Sequence, residues 1–202
     1  LYDVGITLND VDPEYVVIGE TENYNFENIK KATVLVNKGA KLIGTNSDEG
    51  SLFAFPMPVE AYQKRVKDIY GDWADRLLEI YPATNEQEAC FALSDIFRDG
   101  SFAWCTYAWA NLQTKTGKGR VYMYYFDQDS ENTILRSKRG GASHVAEMPF
   151  IYGFSFKGGR MTDTERHMQQ IMSRYWINFT KTGNPNGDSL PYWTTYKQDK
   201  PT

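Results

Sequence analysis

The sequence contains few residues of the kinds that bind metals or form disulfides. It has two cysteines and two histidines in 202 residues. Cys90 and Cys105 are too few for a disulfide framework, and neither lies in the CxxC or Cys/His spacing that is typical of a zinc site. Because both cysteines lie among Phe, Ala, Leu and Trp residues, we expect them to pack in the core.

Long apolar runs and a dominant charge are absent as well. No apolar stretch approaches the roughly 20 residues that a membrane helix needs, and residues 1–4 lack the basic and apolar regions of a signal peptide. The 22 Lys and Arg against 26 Asp and Glu give a net charge of −4. Since nucleic-acid binding requires clustered positive charge, we expect a soluble chain with no nucleic-acid partner and no membrane partner.

The composition is otherwise that of a globular protein with many aromatic residues. The chain is 41% hydrophobic and 24% charged, which excludes a disordered chain, a collagen and a coiled coil. It contains 14 Tyr, 11 Phe and 5 Trp. These side chains can form the bulky walls of a core or of an apolar pocket.

The N-terminal part of the sequence predicts a βαβ unit. A β-branched run at 15–18 is typical of a buried strand, and residues 25–38 have the apolar spacing of a helix that ends at Gly39. A second strand is predicted at 40–44. The short links favour a right-handed crossover onto a parallel sheet.

Helices dominate the middle of the sequence. Pro58 suits the first turn of a helix, and Asn85 followed by Glu88 resembles a capping box. Helices are predicted over residues 58–70, 72–80, 85–98 and 101–114.

The clearest strand lies at 121–126, where every residue is apolar or aromatic, and this predicts a central strand covered on both faces. The last helix opens with Thr162 and Glu165, which form a capping box. Its apolar stripe is interpreted as core packing and consists of Met168, Ile171, Met172, Tyr175, Trp176 and Phe179. Together these elements predict an α/β protein with helical layers.

The sequence contains only two histidines that could act as a general base. His167 lies on the polar side of the last helix, and we interpret it as a surface residue. His144 follows the strongest strand in a glycine-rich loop, and the acidic pair Asp48 and Glu49 follows the strand at 40–44. Side chains after parallel strands can meet at one rim of a sheet, where a carboxylate can orient an imidazole base. A helix N-cap for the acidic pair and an exposed loop position for His144 are the alternatives.

Four ordered motifs in residues 42–202 resemble the C-terminal part of a type-B carboxylesterase, the α/β-hydrolase family of para-nitrobenzyl esterases and cholinesterases. Segment 43–53 (IGTNSDEGSLF) resembles the segment with the triad acid, and 141–153 (GASHVAEMPFIYG) resembles the histidine loop. Segments 175–186 and 190–193 resemble the terminal helix and tail. The resemblance implies that Glu49 is the acid and His144 the base of a Ser-Glu-His triad. It also implies a small-molecule ester substrate and no metal or organic cofactor.

The sequence departs from that family in two features that catalysis needs. Such a hydrolase needs a serine in a G-x-S-x-G elbow and an HGGG-type loop for the oxyanion hole. Ser143 and Ser155 have a glycine two residues before them but not two residues after, and the sequence has no G-x-S-x-G elbow elsewhere. We therefore expect a carboxylic-ester hydrolase of which this chain holds the acid and the histidine but not the nucleophile, and no activity in isolation.

Residues 1–48 resemble a different family. Segments 12–20, 24–27 and 40–48 are similar to part of the cap domain of a NagD-like phosphatase of the haloacid-dehalogenase type. The two resemblances overlap at 44–48 and imply a fusion, natural or constructed, or an assembly artefact. Asp127 and Asp129 form the D-x-D pattern of such phosphatases. They lie after the cap-like segment instead of before it, so we do not expect a functional motif.

Three functional hypotheses are therefore open. The first is the ester hydrolase, and the family resemblance implies that such a protein is often exported. The second is a non-catalytic binding or scaffold module whose aromatic-rich helices offer an exposed apolar or carbohydrate-facing surface. Uncovered apolar faces of this kind also favour self-association. The third is a fragment of a sugar or nucleotide phosphatase.

Overall fold

A computed structural model describes residues 39–129, 137, 139–154 and 160–197. The predicted strand at 15–18 and helix at 25–38 lie outside the described residues, as do two of the phosphatase-like segments and Ser155. The predicted strand at 40–44 lies within them. In the described part of the chain, no helix is both long enough and apolar enough to cross a membrane.

The sheet of the described residues consists of two parallel strands, β1 (Lys41–Asn46) and β2 (Val121–Phe126). The register runs from Lys41 opposite Val121 to Asn46 opposite Phe126. Because the strands are parallel, the segments that follow them both begin at the same edge of the sheet. The turn after β1 leads to Glu49, and the connection after β2 leads to His144.

The described residues also form six α-helices. They are α1 (Val59–Tyr70), α2 (Ala74–Ile80), α3 (Glu86–Arg98), α4 (Trp104–Thr116), α5 (Met148–Tyr152) and α6 (Asp163–Thr182). A 3-10 turn leads into α2, and a π-helical turn (Asp99–Ala103) joins α3 to α4. The four predicted central helices are confirmed, and the α/β class is confirmed with them.

Side-chain caps define where two helices begin. At α6, Thr162 Oγ1 accepts a hydrogen bond from Glu165 N, and Thr162 N donates to Glu165 Oε2 at 2.8 Å, so the predicted capping box is complete. At α3, Asn85 Oδ1 accepts from Glu88 N at 2.9 Å. The Glu88 carboxylate accepts instead from Thr84 N and Oγ1, so only half of the predicted box forms at this helix.

Strand β2 is covered along one face and in part on the other, so the prediction of a strand covered on both faces holds only in part. One face contacts α5, α6 and the tail through aromatic pairs, for example Tyr124 with Trp176 at 5.2 Å between ring centroids. On the other face, Val121 packs against Ala110 of α4. Tyr125, on this second face, is largely exposed.

Within the described residues β1 is the only strand that pairs with β2, and on the opposite edge of β2 the carbonyls of Val121 and Met123 accept hydrogen bonds from Tyr196 N at 2.7 Å and from Trp193 Nε1 at 2.9 Å. The C-terminal tail therefore covers the edge of β2 that faces away from β1.

A second core lies between α1 and α3, where Tyr62, Val66, Leu93 and Cys90 are buried. Cys90 thus packs in the core, as predicted. The prediction for Cys105 is wrong, because Cys105 lies in the first turn of α4 and is exposed. The aromatic neighbours that suggested burial do not cover it, since Trp104 is itself exposed.

The apolar stripe of α6 is only partly buried. Met172 packs against Phe126 and Phe150 in a third core, whereas the remaining stripe residues are half-buried. An open groove of about 390 Å³ beside the C-terminal end of β2 is lined by Met168, Ile171, Tyr175 and Trp176 of the stripe. The interpretation of the stripe as core packing therefore holds fully for Met172 and in part for its neighbours.

Candidate active site

Parallel pairing continues beyond the two strands and joins the turn after β1 to the loop before α5. Asp48 N donates to Ala142 O at 2.8 Å, and Ala142 N donates to Ser47 Oγ at 2.8 Å. Asp48 and Ser143 form an isolated parallel bridge. These contacts place Glu49 and His144, the next residue of each segment, side by side.

Glu49 and His144 are hydrogen bonded in the structure. His144 Nδ1 lies 2.6 Å from Glu49 Oε2. The other carboxylate oxygen, Glu49 Oε1, accepts from Asn46 N at 2.7 Å and from Thr45 Oγ1 at 3.1 Å. One carboxylate oxygen is thus held by the turn while the other contacts the imidazole, and Glu49 is only 5% exposed.

This contact determines which imidazole nitrogen carries the proton in the neutral ring. A carboxylate accepts hydrogen bonds and donates none when ionised, so Nδ1 is the donor and the lone pair lies on Nε2. A nucleophilic triad uses an acid and a base in this kind of arrangement, in which a buried carboxylate fixes the tautomer of an accessible imidazole. The two site residues predicted from the sequence are therefore adjacent in the structure.

Aromatic side chains surround the His144 ring. Its centroid lies 4.9 Å from that of Phe102 and 5.8 Å from that of Phe53, and Phe97 contacts both phenylalanines. These rings come from the turn after Glu49, from the end of α3 and from the π-helical turn. They form an apolar wall beside the imidazole.

The backbone around His144 has unusual conformations. Val145 has φ of +60°, a value that β-branched residues rarely adopt. Gly141 has φ of +84°, and a Cβ at this position would lie 2.4 Å from Ser47 Oγ. Glycine at 141 therefore permits both the loop conformation and its close approach to the acid turn.

An ion-pair network holds the acid turn from its other side. Buried Asp48 accepts hydrogen bonds from Ser137 Oγ and from an Arg139 nitrogen at 3.2 Å. Arg139 also pairs with Asp95 of α3, and its guanidinium lies 5.3 Å from the Phe91 ring centroid. The hydrogen bond to Asp95, acting against burial, raises the pKa of Arg139.

Other titratable residues are placed as follows. His167 lies on the exposed side of α6, as predicted. Asp127 follows β2 and lies beside Gly141. In the ranges that the structure describes, no group of three or more His, Cys, Asp and Glu residues is arranged to hold a metal ion. Burial, together with the negative charges of Glu147 and Glu49, raises the pKa of Tyr124 on β2.

Two features of this site were not predicted from the sequence. Asn46 donates its side-chain amide to the loop that carries His144, and Asp48 joins the network with Arg139. The contact of Asn46 could have been suspected only weakly from the sequence, because Asn46 is a polar residue at the end of an apolar strand. No sequence signal pairs Asp48 with Arg139, because the partners are 91 positions apart.

Comparisons with known proteins agree with this geometry. The model of the Carboxylesterase family matches residues 11–202. Carboxylesterase 4A of Bos taurus is 37% identical over 106 residues, which cover 52% of this chain and 19% of that protein. Acylcarnitine hydrolase of Mus musculus is 27% identical over 181 residues, which cover 79% of this chain and 32% of that protein.

A solved structure, a PNB esterase, matches with a TM-score of 0.57 and 28% identity over 77% of this chain and 31% of its own. The chain thus spans no more than about one third of the length of the relatives it matches. The family match begins at residue 11, well inside segment 1–48, and the comparisons give no support to the phosphatase-cap resemblance. This chain belongs to the carboxylesterase family, and its strands and helices are part of an α/β-hydrolase fold.

Proposed function

We propose that this chain supplies the acid and the base of a serine-type carboxylic-ester hydrolase. The observation that carries the proposal is the 2.6 Å contact between Glu49 Oε2 and His144 Nδ1 at the rim of a parallel sheet. Membership of the carboxylesterase family supports the same chemistry. The serine belongs to a part of the domain that these 202 residues do not include, because no G-x-S-x-G elbow occurs among them.

The proposed reaction has two halves. The serine oxygen attacks the ester carbonyl carbon while His144 Nε2 takes the hydroxyl proton, and Glu49 stabilises the imidazolium. The C–O bond to the alcohol then breaks, and His144 returns the proton to the leaving oxygen. Water attacks the acyl-enzyme with His144 again acting as base, and the carboxylic acid and free serine are released.

The surroundings of His144 favour an ester with an apolar part. Phe53 and Phe102 lie against the imidazole, and this wall limits the access of water to the reacting centre. The proposed steps use only the serine, His144 and Glu49, and they need no metal or organic cofactor. A small-molecule ester is the substrate class that we propose.

A graft tests this function. Residues 40–197 would replace the equivalent C-terminal third of a PNB esterase, and hydrolysis of p-nitrophenyl acetate would be measured. We expect the His144→Ala and Glu49→Gln grafts to lose kcat by about 10³- to 10⁴-fold with little change in KM. His167→Ala is the matched control and should leave kcat unchanged. A folded graft that is active and insensitive to His144→Ala would contradict the proposal.

A second property is favoured by the apolar groove along α6 and by β1, which pairs with no strand other than β2 in the described part of the chain. An exposed strand edge beside apolar surface promotes association between chains. The chain by itself is therefore proposed to self-associate. Light scattering over a concentration series tests this, and a compact monomer at all concentrations would contradict it.

A further inference from the structure

Asn46, the last residue of β1, lies between the acid and the histidine loop. It is only 2% exposed, although its side chain is polar. Its backbone N–H donates to Glu49 Oε1 at 2.7 Å. Its side-chain Nδ2 donates to Ser143 O at 2.8 Å and to Glu147 Oε2 at 2.6 Å. Asn46 therefore donates one hydrogen bond to the acid and two hydrogen bonds to the loop, one on each side of His144.

The orientation of the Asn46 amide follows from its partners. The Ser143 carbonyl and the Glu147 carboxylate are both acceptors, so the NH₂ group faces them and the oxygen points away. The oxygen, Asn46 Oδ1, has no hydrogen-bond partner among the residues that the structure describes. Leaving a buried acceptor unpaired is unfavourable, and the side chain keeps this orientation because its two donor contacts require it.

These two hydrogen bonds act on a strained segment. Ser143 O belongs to the peptide that leads into His144, and Val145 immediately after it has φ of +60°. A β-branched residue holds such a conformation only when its surroundings enforce it. The backbone bond from Ala146 N to Ser143 O at 3.0 Å closes the turn around His144 and Val145, and Asn46 holds the same Ser143 carbonyl and the Glu147 side chain. Loss of the Asn46 bonds would leave the turn with its backbone bond alone and would free the peptide that carries the imidazole to rotate.

We propose that Asn46 is a positioning residue that holds His144 Nδ1 on Glu49. The inference rests on the proposed function, since it concerns the same acid and base. It assigns to Asn46 a role beyond filling space at the end of β1. The side chain sets the position of the loop, while the backbone N–H sets the position of the carboxylate.

The test is the tautomer of His144 in the 202-residue chain. Long-range ¹H–¹⁵N NMR distinguishes Nδ1–H from Nε2–H imidazole at a pH where a free histidine is neutral, and the chain has only two histidines to assign. The variant is Asn46→Ala, which keeps the backbone donor to Glu49. The matched control is Asn111→Ala, which removes a different side-chain hydrogen bond, the one that Asn111 Oδ1 accepts from Tyr196 at 2.8 Å.

We expect Nδ1–H to be the main His144 tautomer in the parent chain and in Asn111→Ala, and to become the minor one in Asn46→Ala. Asn46→Asp, which keeps the volume but cannot donate to Ser143 O, should behave like the alanine variant. An unchanged His144 tautomer in a folded Asn46 variant would overturn the inference. So would loss of all dispersed amide signals in both Asn46 variants, because Asn46 would then be a general determinant of the fold.

The parent chain separates this inference from the proposed function. If His144 of the parent chain were not in the Nδ1–H form, the proposed acid and base pair would itself fail. If the parent has that form and the Asn46 variants keep it, only the role of Asn46 fails.

Discussion

His144 Nδ1 lies 2.6 Å from Glu49 Oε2, although 95 positions separate the two residues in the chain. The contact forms because β1 and β2 are parallel and in register, so that the segments after them run side by side. The buried carboxylate thereby selects one tautomer of a partly exposed imidazole. This relationship leads to the first prediction.

Glu49→Gln should change the tautomer of His144 in the isolated chain. A glutamine side chain can donate as well as accept, so it no longer requires a proton on Nδ1. We expect a mixture of Nδ1–H and Nε2–H forms by ¹⁵N NMR, in place of one dominant form. Exposed His167 on α6 is the internal control and should not change. Retention of the parent tautomer at His144 would show that Glu49 does not orient the ring.

The isolated chain should lack triad-dependent esterase activity. A base without a nucleophilic serine cannot form an acyl-enzyme, and no G-x-S-x-G elbow occurs in the sequence. With p-nitrophenyl acetate we expect no stoichiometric burst of p-nitrophenol, and His144→Ala should leave the slow background unchanged. A burst that His144→Ala abolishes would mean that one of the serines in this chain is the nucleophile.

Arg139→Ala should destabilise the folded chain. The change removes the guanidinium that pairs with the buried Asp48 carboxylate and links it to Asp95. Asp48 keeps its bond from Ser137, so we expect the free energy of unfolding to fall by about 2 kcal/mol, less than for a fully isolated buried charge. Urea denaturation measures this change.

The control for that measurement is Arg76→Ala on α2. Arg76 pairs with Glu79 at 2.7 Å, and both side chains are exposed. Water screens such a pair, so its loss should change stability by less than about 0.5 kcal/mol. Equal effects of the two arginine substitutions would contradict the assigned role of the Asp48 network.

Gly50→Ala should also destabilise the chain and disturb the acid turn. A Cβ at residue 50 would lie 1.9 Å from the backbone oxygen of Ser94 on α3. The backbone of the turn or of α3 would have to move to relieve this clash. We expect a loss of about 2 kcal/mol, the usual cost of overpacking, with a weaker Nδ1–H signal from His144. Gly100→Ala is the matched control, because no atom lies within 4 Å of a Cβ there. A fully stable Gly50→Ala chain would contradict the close packing of the turn on α3.

Local patterns were sufficient for most helices and strands of the described residues and for the choice of the two candidate site residues. The apolar run at Val121–Phe126 formed β2, and the reciprocal bonds of Thr162 and Glu165 formed the predicted start of α6. These features depend on neighbours within four positions, which a sequence displays directly. Glu49 and His144 were found in the same way, because each follows a recognisable strand and lies within a family-like motif.

Local composition failed where burial depends on distant parts of the chain. Cys105 has the apolar neighbours of a core residue but lies on the exposed side of α4, because packing against the sheet uses the Ala110 side of that helix. The stripe of α6 has helical spacing, yet the degree of burial of each residue is set by what covers the groove beside β2.

The sequence by itself determined the α/β class, most helices and strands of the described residues, and the choice of Glu49 and His144 as candidates. Only the tertiary structure decided that these two side chains touch, that Asn46 grips the loop between Ser143 and Glu147, and that Asp48 pairs with Arg139. The physical reason is the parallel register of β1 and β2. That register brings together residues that are 91 to 101 positions apart in the chain, and these partners meet only when the two strands are packed side by side in the fold.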